Sequence, residues 1–294
     1  MVRIFWKIIG VEFCMMNKQI SELVCAYIAE RKDSARIVFA ALQGGFGRGT
    51  ANENSDIDII LAFADRVDIT DQSRITQYQG RRIEIRFLCF SEVQHPAYWL
   101  ERTRYIYKNE TIFLFGNADA WHTLQQQCLM TETEKRDLLV FSLKRCARRG
   151  IHCKSGVFRV DQTGSAYNTS TAWGKSRRNY WLDRGDYVTA KLLCASSMEY
   201  LILIIFALNN EFLPSPKYRY YLLQRLGWKP KSLDMLFTAI REDVSYSYDA
   251  MQDLFCDILT ECMVKAYNDQ ALTEDQEAYQ FSTNLPILRE TAYF

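Results

Sequence analysis

Residues 56–63 read Asp-Ile-Asp-Ile-Ile-Leu-Ala-Phe, a run too apolar to stand in water yet headed by two acids. A short apolar run of this length reads as a buried strand. Alternate side chains of a strand share a face, so Asp56 and Asp58 project together while Ile57 and Ile59 project oppositely. Two carboxylates held that close repel each other strongly in a partly dry site. A fold keeps such a pair where a divalent cation neutralises it, and oxygen donors without Cys or His favour Mg²⁺ over zinc or copper. The competing reading, an exposed Ser-Asp-x-Asp turn, leaves the apolar residues that follow in solvent.

The flanking sequence organises around this run. Ile20, Leu23, Val24, Tyr27 and Ile28 recur at helical spacing, giving an amphipathic first helix up to about Arg31. Arg36–Gln43 reads as a buried strand ended by Gly44-Gly45, where backbone N–H groups can approach a phosphate closely. A polar loop spans Phe46–Asn54, and Asp65–Thr76 reads as helical or irregular. Arg81–Phe90 alternates like a third strand, with Glu84 between Ile83 and Ile85, an unexpected place for an acid. Beside the second strand, Glu84 would reach the same cation; on an exposed edge it would simply face water. Ser91–Tyr107 reads as a helix interrupted near Pro96, and Thr111–Phe115 as a short edge strand.

Beyond that point the periodicity turns helical. Thr131 and Glu134 form a capping box. Asp183–Leu208 reads as a long apolar helix with an acidic start, Lys217–Leu226 as another, Ser232 as a cap, and Met251–Met263 as a last amphipathic helix. The expectation is an α+β chain: a small mixed-sheet domain over residues 16–120, then a helical bundle over 121–294.

The stretch Leu42–Leu61 (LQGGFGRGTANENSDIDIIL) resembles the nucleotidyltransferase superfamily typified by DNA polymerase β and the aminoglycoside nucleotidyltransferases. Its signature is a Gly-[Gly/Ser] turn, about ten residues, Asp-x-Asp on a strand, and a third carboxylate on a later strand. Gly44-Gly45, Asp56-Ile57-Asp58 and Glu84 follow it in order; Gly45 stands where Ser is commoner. The sequence from Arg184 to about Leu223 is similar to the helical domain that accompanies many small-molecule members.

The resemblance implies that Asp56, Asp58 and Glu84 hold two Mg²⁺ ions that clamp the phosphates of a nucleoside triphosphate, with ATP the expected one. Glu84 either binds the second ion or takes the proton of the attacking hydroxyl. Attack is in line on the α-phosphorus, pyrophosphate leaves, and the metals lie roughly 3.5–4 Å apart. Gly44, Gly45, Arg48, Ser55 and Lys217 are the candidate nucleotide contacts. Arg48 and Lys217 equally fit as solvated side chains. The expected acceptor is a hydroxyl-bearing small molecule, an antibiotic among the possibilities. The alternatives are a macromolecular acceptor, such as a protein or an RNA end, and a non-catalytic, toxin-neutralising binding module. Three intact carboxylates count against the last.

Composition sets the limits. With 294 residues, 48% apolar and 24% charged, the chain is long enough for two domains and too apolar for disorder. Its 36 basic and 35 acidic residues give a net charge of +1, which removes a whole-chain argument for nucleic-acid or membrane binding. The balance hides segregation: residues 141–184 carry ten Lys/Arg against Asp161 and Asp183, and residues 242–294 eleven Asp/Glu against Lys265 and Arg289. The basic segment interleaves Tyr167, Trp173, Tyr180 and Trp181, which suit either base stacking or packing. Arg145 and His152 have the Arg-x₆-His spacing of a nuclease motif, a weak match expected often by chance. His95, His122 and His152 are scattered and receive no role. Nine cysteines without a Cys-x-x-Cys pair argue for free thiols, with Cys25, Cys256 and Cys262 on apolar helical faces, and for a reducing, cytoplasmic setting. The longest apolar run, Tyr200–Leu208, falls far short of the roughly 20 residues that span a bilayer, so no membrane partner is expected. Met1–Met16 makes a poor signal peptide, and residues 1–15 are read as an upstream extension, because Met16 directly precedes the first helix.

Overall fold

The computed structural model describes residues 18–65, 74–93, 101–149, 151, 184–241 and 248–272. The chain divides into two compact units between Leu129 and Met130, later than the expected boundary at 120. The helix Ala118–Gln127 belongs to the first unit because Trp121 and Leu124 pack onto the sheet.

The first unit is α+β. Its five strands are β1 (Ile37–Gln43), β2 (Ile57–Phe63), β3 (Ile75–Tyr78), β4 (Arg81–Cys89) and β5 (Ile112–Gly116), in the spatial order β3-β4-β2-β1-β5. β2 pairs with β4 in parallel; the other three pairings are antiparallel. Both faces of the central strands are covered, which explains the near-continuous apolar runs of β1 and β2. One face carries Ile57, Ile59, Leu61, Phe63, Ile83 and Ile85 against α1, whose described residues are 18–29, through Ile20, Val24 and Ile28. The other carries Phe39, Ala41, Ile60 and Ala62 against residues of Glu101–Asn109 (α4) and Ala118–Gln127 (α5). Two short helices, α2 (Gly44–Arg48) and α3 (Phe90–Val93), follow β1 and β4.

Two expectations for this unit change. Ile75–Tyr78 is a strand, not helical or irregular: it pairs with β4 through a two-residue turn in which Gln79 (φ 46°) and Gly80 (φ 77°) are both left-handed. Cys25 lies on the exposed side of α1. Cys256 and Cys262, in the second unit, are buried as expected.

The second unit is helical throughout its described residues. α6 (Glu132–Arg148) opens on the expected capping box: Glu134 N–H donates to Thr131 Oγ1 at 3.2 Å, and Thr131 N–H donates to Glu134 Oε2 at 2.9 Å. α7 (Tyr187–Leu208) starts after Asp186, whose carboxylate accepts from Thr189 N–H at 2.9 Å. A 3₁₀ turn at Pro216–Tyr218 leads into α8 (Arg219–Leu223), so the expected helix from Lys217 to Leu226 is shorter. α9 (Lys231–Arg241) and α10 (Tyr248–Asn268) complete the unit. Ser232 is not the cap of α9. Glu261 of α10 supplies it, accepting from Lys231 N–H at 2.5 Å and Ser232 N–H at 3.0 Å and from the Ser232 hydroxyl.

By length and composition α7 could cross a membrane, which the run 200–208 alone does not suggest. Its second half, Leu201–Leu208, is buried, and the helix packs against α6 and α10, as the core helix of a bundle does; Tyr187, Val188 and Leu192 at its start are exposed.

Candidate active site

The register of the sheet brings the acids together. Glu84 of β4 lies directly across from Asp58 of β2, and Gln43 of β1 lies across from Asp58 on the other side. Residues level with each other in neighbouring strands share a face. Gln43, Asp58 and Glu84 therefore form one row, with strands about 4.8 Å apart. Asp56 immediately precedes β2, two residues before Asp58 on the same side. Arg82, Glu84 and Arg86 alternate on that face of β4, while Ile83 and Ile85 are buried beneath. The acid in the apolar strand is thus accounted for: the apolar residues build the core and the odd ones out build the site.

Asp58 is the most enclosed of the three acids. Burial, and then the charge of Glu84, push its carboxyl above the ordinary aspartate range; Arg48 and Arg86 act in the opposite sense. Asp56 and Glu84 are more open, at 47% and 38% side-chain exposure. Arg82 sits between them. Its Nε is 3.9 Å from Asp56 Oδ2, and its Nη2 donates to Glu84 Oε1.

Gly44-Gly45 does more than end β1, since it opens α2. Gly44 has φ +68°, and a Cβ there would lie 1.8 Å from Asp58 Oδ2. Only glycine allows the backbone to take that shape with the Asp58 carboxylate seated against it. Gly45 has no such restriction, because a Cβ would meet its nearest neighbour, Ala51 Cβ, at 3.4 Å. The turn is therefore compatible with the Ser commoner at this position.

Arg48 ends α2 and is not a solvated loop residue. Its Nη1 donates to Glu110 Oε2 at 2.6 Å, and the two side chains are only 9% and 3% exposed. The hydroxyl of Ser55 is held within its own loop, accepting from Asn52 N–H at 2.9 Å. Arg81 braces that loop by donating to the carbonyls of Glu53 and Ser55 at 2.6 and 2.9 Å. Lys217 lies in the second unit, its Nζ 4.9 Å from the ring centre of Tyr218. Among the weaker sequence candidates, Arg145 stacks on Phe141 at 5.1 Å. His152, Tyr167, Trp173, Tyr180 and Trp181 lie outside the described residues, as do Met1–Met16 and His95.

The chemistry of the donor set fits a hard divalent cation: three carboxylates, no sulfur or imidazole, and one acid held above its usual range by burial and then by a neighbouring acid. Among the described residues no three acidic, His or Cys side chains already converge as a ready ion cage. Glu84 is instead paired with Arg82. Arg82, Glu110 and Gln43 are the residues that sequence reading overlooks here. Arg82 shares the strand alternation of Glu84 and could be found from it; Glu110 and Gln43 are defined only by pairing.

Residues 25–116 match the family model described as a nucleotidyltransferase domain. A solved structure, a nucleotidyltransferase-like protein from Exiguobacterium sibiricum 255-15, is similar over 90% of this chain and 78% of its own, at 10% identity and a TM-score of 0.42. No curated protein matches the chain. The matched residues span all five strands, the Gly44-Gly45 turn and the three acids. The chain carries a nucleotidyltransferase domain at residues 25–116, followed by a helical region.

Proposed function

We propose that the protein transfers a nucleoside monophosphate, AMP from ATP, to a hydroxyl of a small molecule, and releases pyrophosphate. The observation that carries this reading is the pairing of Asp58 with Glu84 across two parallel strands, with Asp56 beside them and Gly44 seated on Asp58. Asp56, Asp58 and Glu84 would hold Mg²⁺. When bound, Mg²⁺ supplies charge neutralisation for the phosphates and the departing pyrophosphate. Glycine at positions 44 and 45 gives the turn's main-chain N–H groups no side chain of their own to hinder a phosphate. Glu84, the more open acid opposite Asp58, would accept the proton as the acceptor oxygen bonds to the α-phosphorus and the bond to pyrophosphate breaks. Lys217 remains a candidate phosphate partner. A cytoplasmic setting, where ATP is at hand, suits this reading, as do the free thiols among the described residues.

An antibiotic such as an aminoglycoside is a fitting acceptor class, because the acidic 242–294 segment would complement a polycation. The test is incubation of the full chain with α-labelled ATP, Mg²⁺ and a panel of aminoglycosides, lincosamides, RNA and protein acceptors. Label transfer to a small molecule with stoichiometric pyrophosphate is expected. Transfer only to RNA or protein would replace the acceptor class, and no transfer to any would overturn the enzymatic reading.

A further inference from the structure

Asp58 can do its work only if α2 stays where it is, because Gly44 lies against its carboxylate with no room for a Cβ. Three contacts position α2. Phe46 is fully buried in the core on the α1 side of the sheet. Gly47 lies so close to the Glu110 carbonyl that a Cβ would come within 1.9 Å of its oxygen. Arg48 then reaches the carboxylate of the same residue. Backbone and side chain of Glu110 thus both grip one short turn, from a sequence distance of 62 residues.

Glu110 stands at a junction. Its N–H closes the last turn of α4 by donating to the Ile106 carbonyl at 2.8 Å, and β5 starts two residues later. The second carboxylate oxygen, Oε1, is buried and has no hydrogen-bond partner among the described residues. A buried, incompletely satisfied ion pair is a poor way to stabilise a fold, since a well-packed apolar pair of similar volume does as well or better. What the pair offers instead is a directional link with little freedom, between the glycine turn and the α4–β5 junction.

We infer that the Arg48–Glu110 ion pair is a positioning element of nucleotidyl transfer: it fixes the Gly44–Arg48 turn against Asp58, and Arg48 does not itself bind phosphate. This rests on the reading given under Proposed function. The two roles for Arg48 predict different mutant patterns. A phosphate ligand makes Arg48→Met raise the ATP KM and dissociation constant, while Glu110→Gln leaves both unchanged. A positioning pair makes the two substitutions fail alike, and together no worse than either alone.

The experiment uses the full chain as wild type, Arg48→Met, Glu110→Gln and the double variant Arg48→Met/Glu110→Gln. It reads kcat and KM for pyrophosphate release from Mg-ATP with the best acceptor, ATP affinity by calorimetry, and Tm. Expected is a kcat loss of about 10- to 100-fold in each single variant and a similar loss in the double. ATP affinity and KM should change less than about threefold. The double variant should keep a Tm near wild type even if a single variant unfolds, because it leaves no unpaired buried charge. Additive losses, a selective rise in ATP KM for Arg48→Met, or a double variant with wild-type kcat would each overturn the inference alone. A wild type that releases no pyrophosphate with any acceptor would overturn the enzymatic reading, and this inference with it.

Discussion

At the scale of single residues, two adjacent glycines with similar sequence roles have different physical reasons. Gly44 is required twice, by its left-handed backbone and by the Asp58 carboxylate in the space a side chain would need. Gly44→Ala is expected to lower stability by about 1–3 kcal/mol and to remove turnover by displacing Asp58. Gly45→Ser should change stability by less than about 0.5 kcal/mol and retain activity. Parallel urea denaturation and pyrophosphate assays on the two variants check this contrast. Arg82 makes a second case. Its guanidinium sits between Asp56 and Glu84, where it competes for the donors that would hold a cation. Arg82→Gln should lower the Mg²⁺ concentration needed for half-maximal ATP-dependent turnover, measured by titration. An unchanged or higher requirement would show that the guanidinium is no competitor.

At the scale of elements, helix ends in the second unit are secured by side chains, one of them from a distant helix. Glu261 on α10 caps α9 across 30 residues of sequence. Glu261→Ala is expected to destabilise the helical unit by about 1–2 kcal/mol, read as a lower urea midpoint with unchanged slope. Asp186 caps α7, and its hydrogen bonds with Thr189 hold its carboxyl below the usual aspartate range. A depressed folded value means that stability from this cap is present above the unfolded pKa, about 3.9, and is lost as pH falls through the lower folded value. Asp186→Asn should flatten that part of the acid limb in a stability-against-pH series while still capping the helix.

These elements also show what the sequence could convey. Helix periodicity, the capping box at Thr131 and Glu134, and the apolar strands 37–43, 57–63 and 81–89 are local, so the amino-acid pattern carries them. β3 escapes because Ile75–Tyr78 is a four-residue edge strand with one face in solvent; only the left-handed turn at Gln79-Gly80 marks it. The cap of α9 and the burial of Arg48 escape for another reason. Each is fixed by a carboxylate from far along the chain, Glu261 or Glu110, which local pattern cannot specify. The position of Glu84 opposite Asp58 was conditional on strand order, and the parallel β2–β4 pairing satisfies that condition.

At the scale of the whole molecule, a net charge of +1 conceals a basic and an acidic segment, both beyond the sheet that carries the acids. The first unit holds the three carboxylates, the glycine turn and the ion pair behind it, while Lys217 lies in the second. The central claim is that Asp58 on β2 and Asp56 just before it carry Mg²⁺-dependent nucleotidyl transfer. The most direct test measures pyrophosphate release from ATP by the wild type, Asp56→Asn and Asp58→Asn in Mg²⁺, and by the wild type after chelation. The account predicts release by the wild type in Mg²⁺ alone and background rates in the other three. Turnover retained in both variants would contradict it.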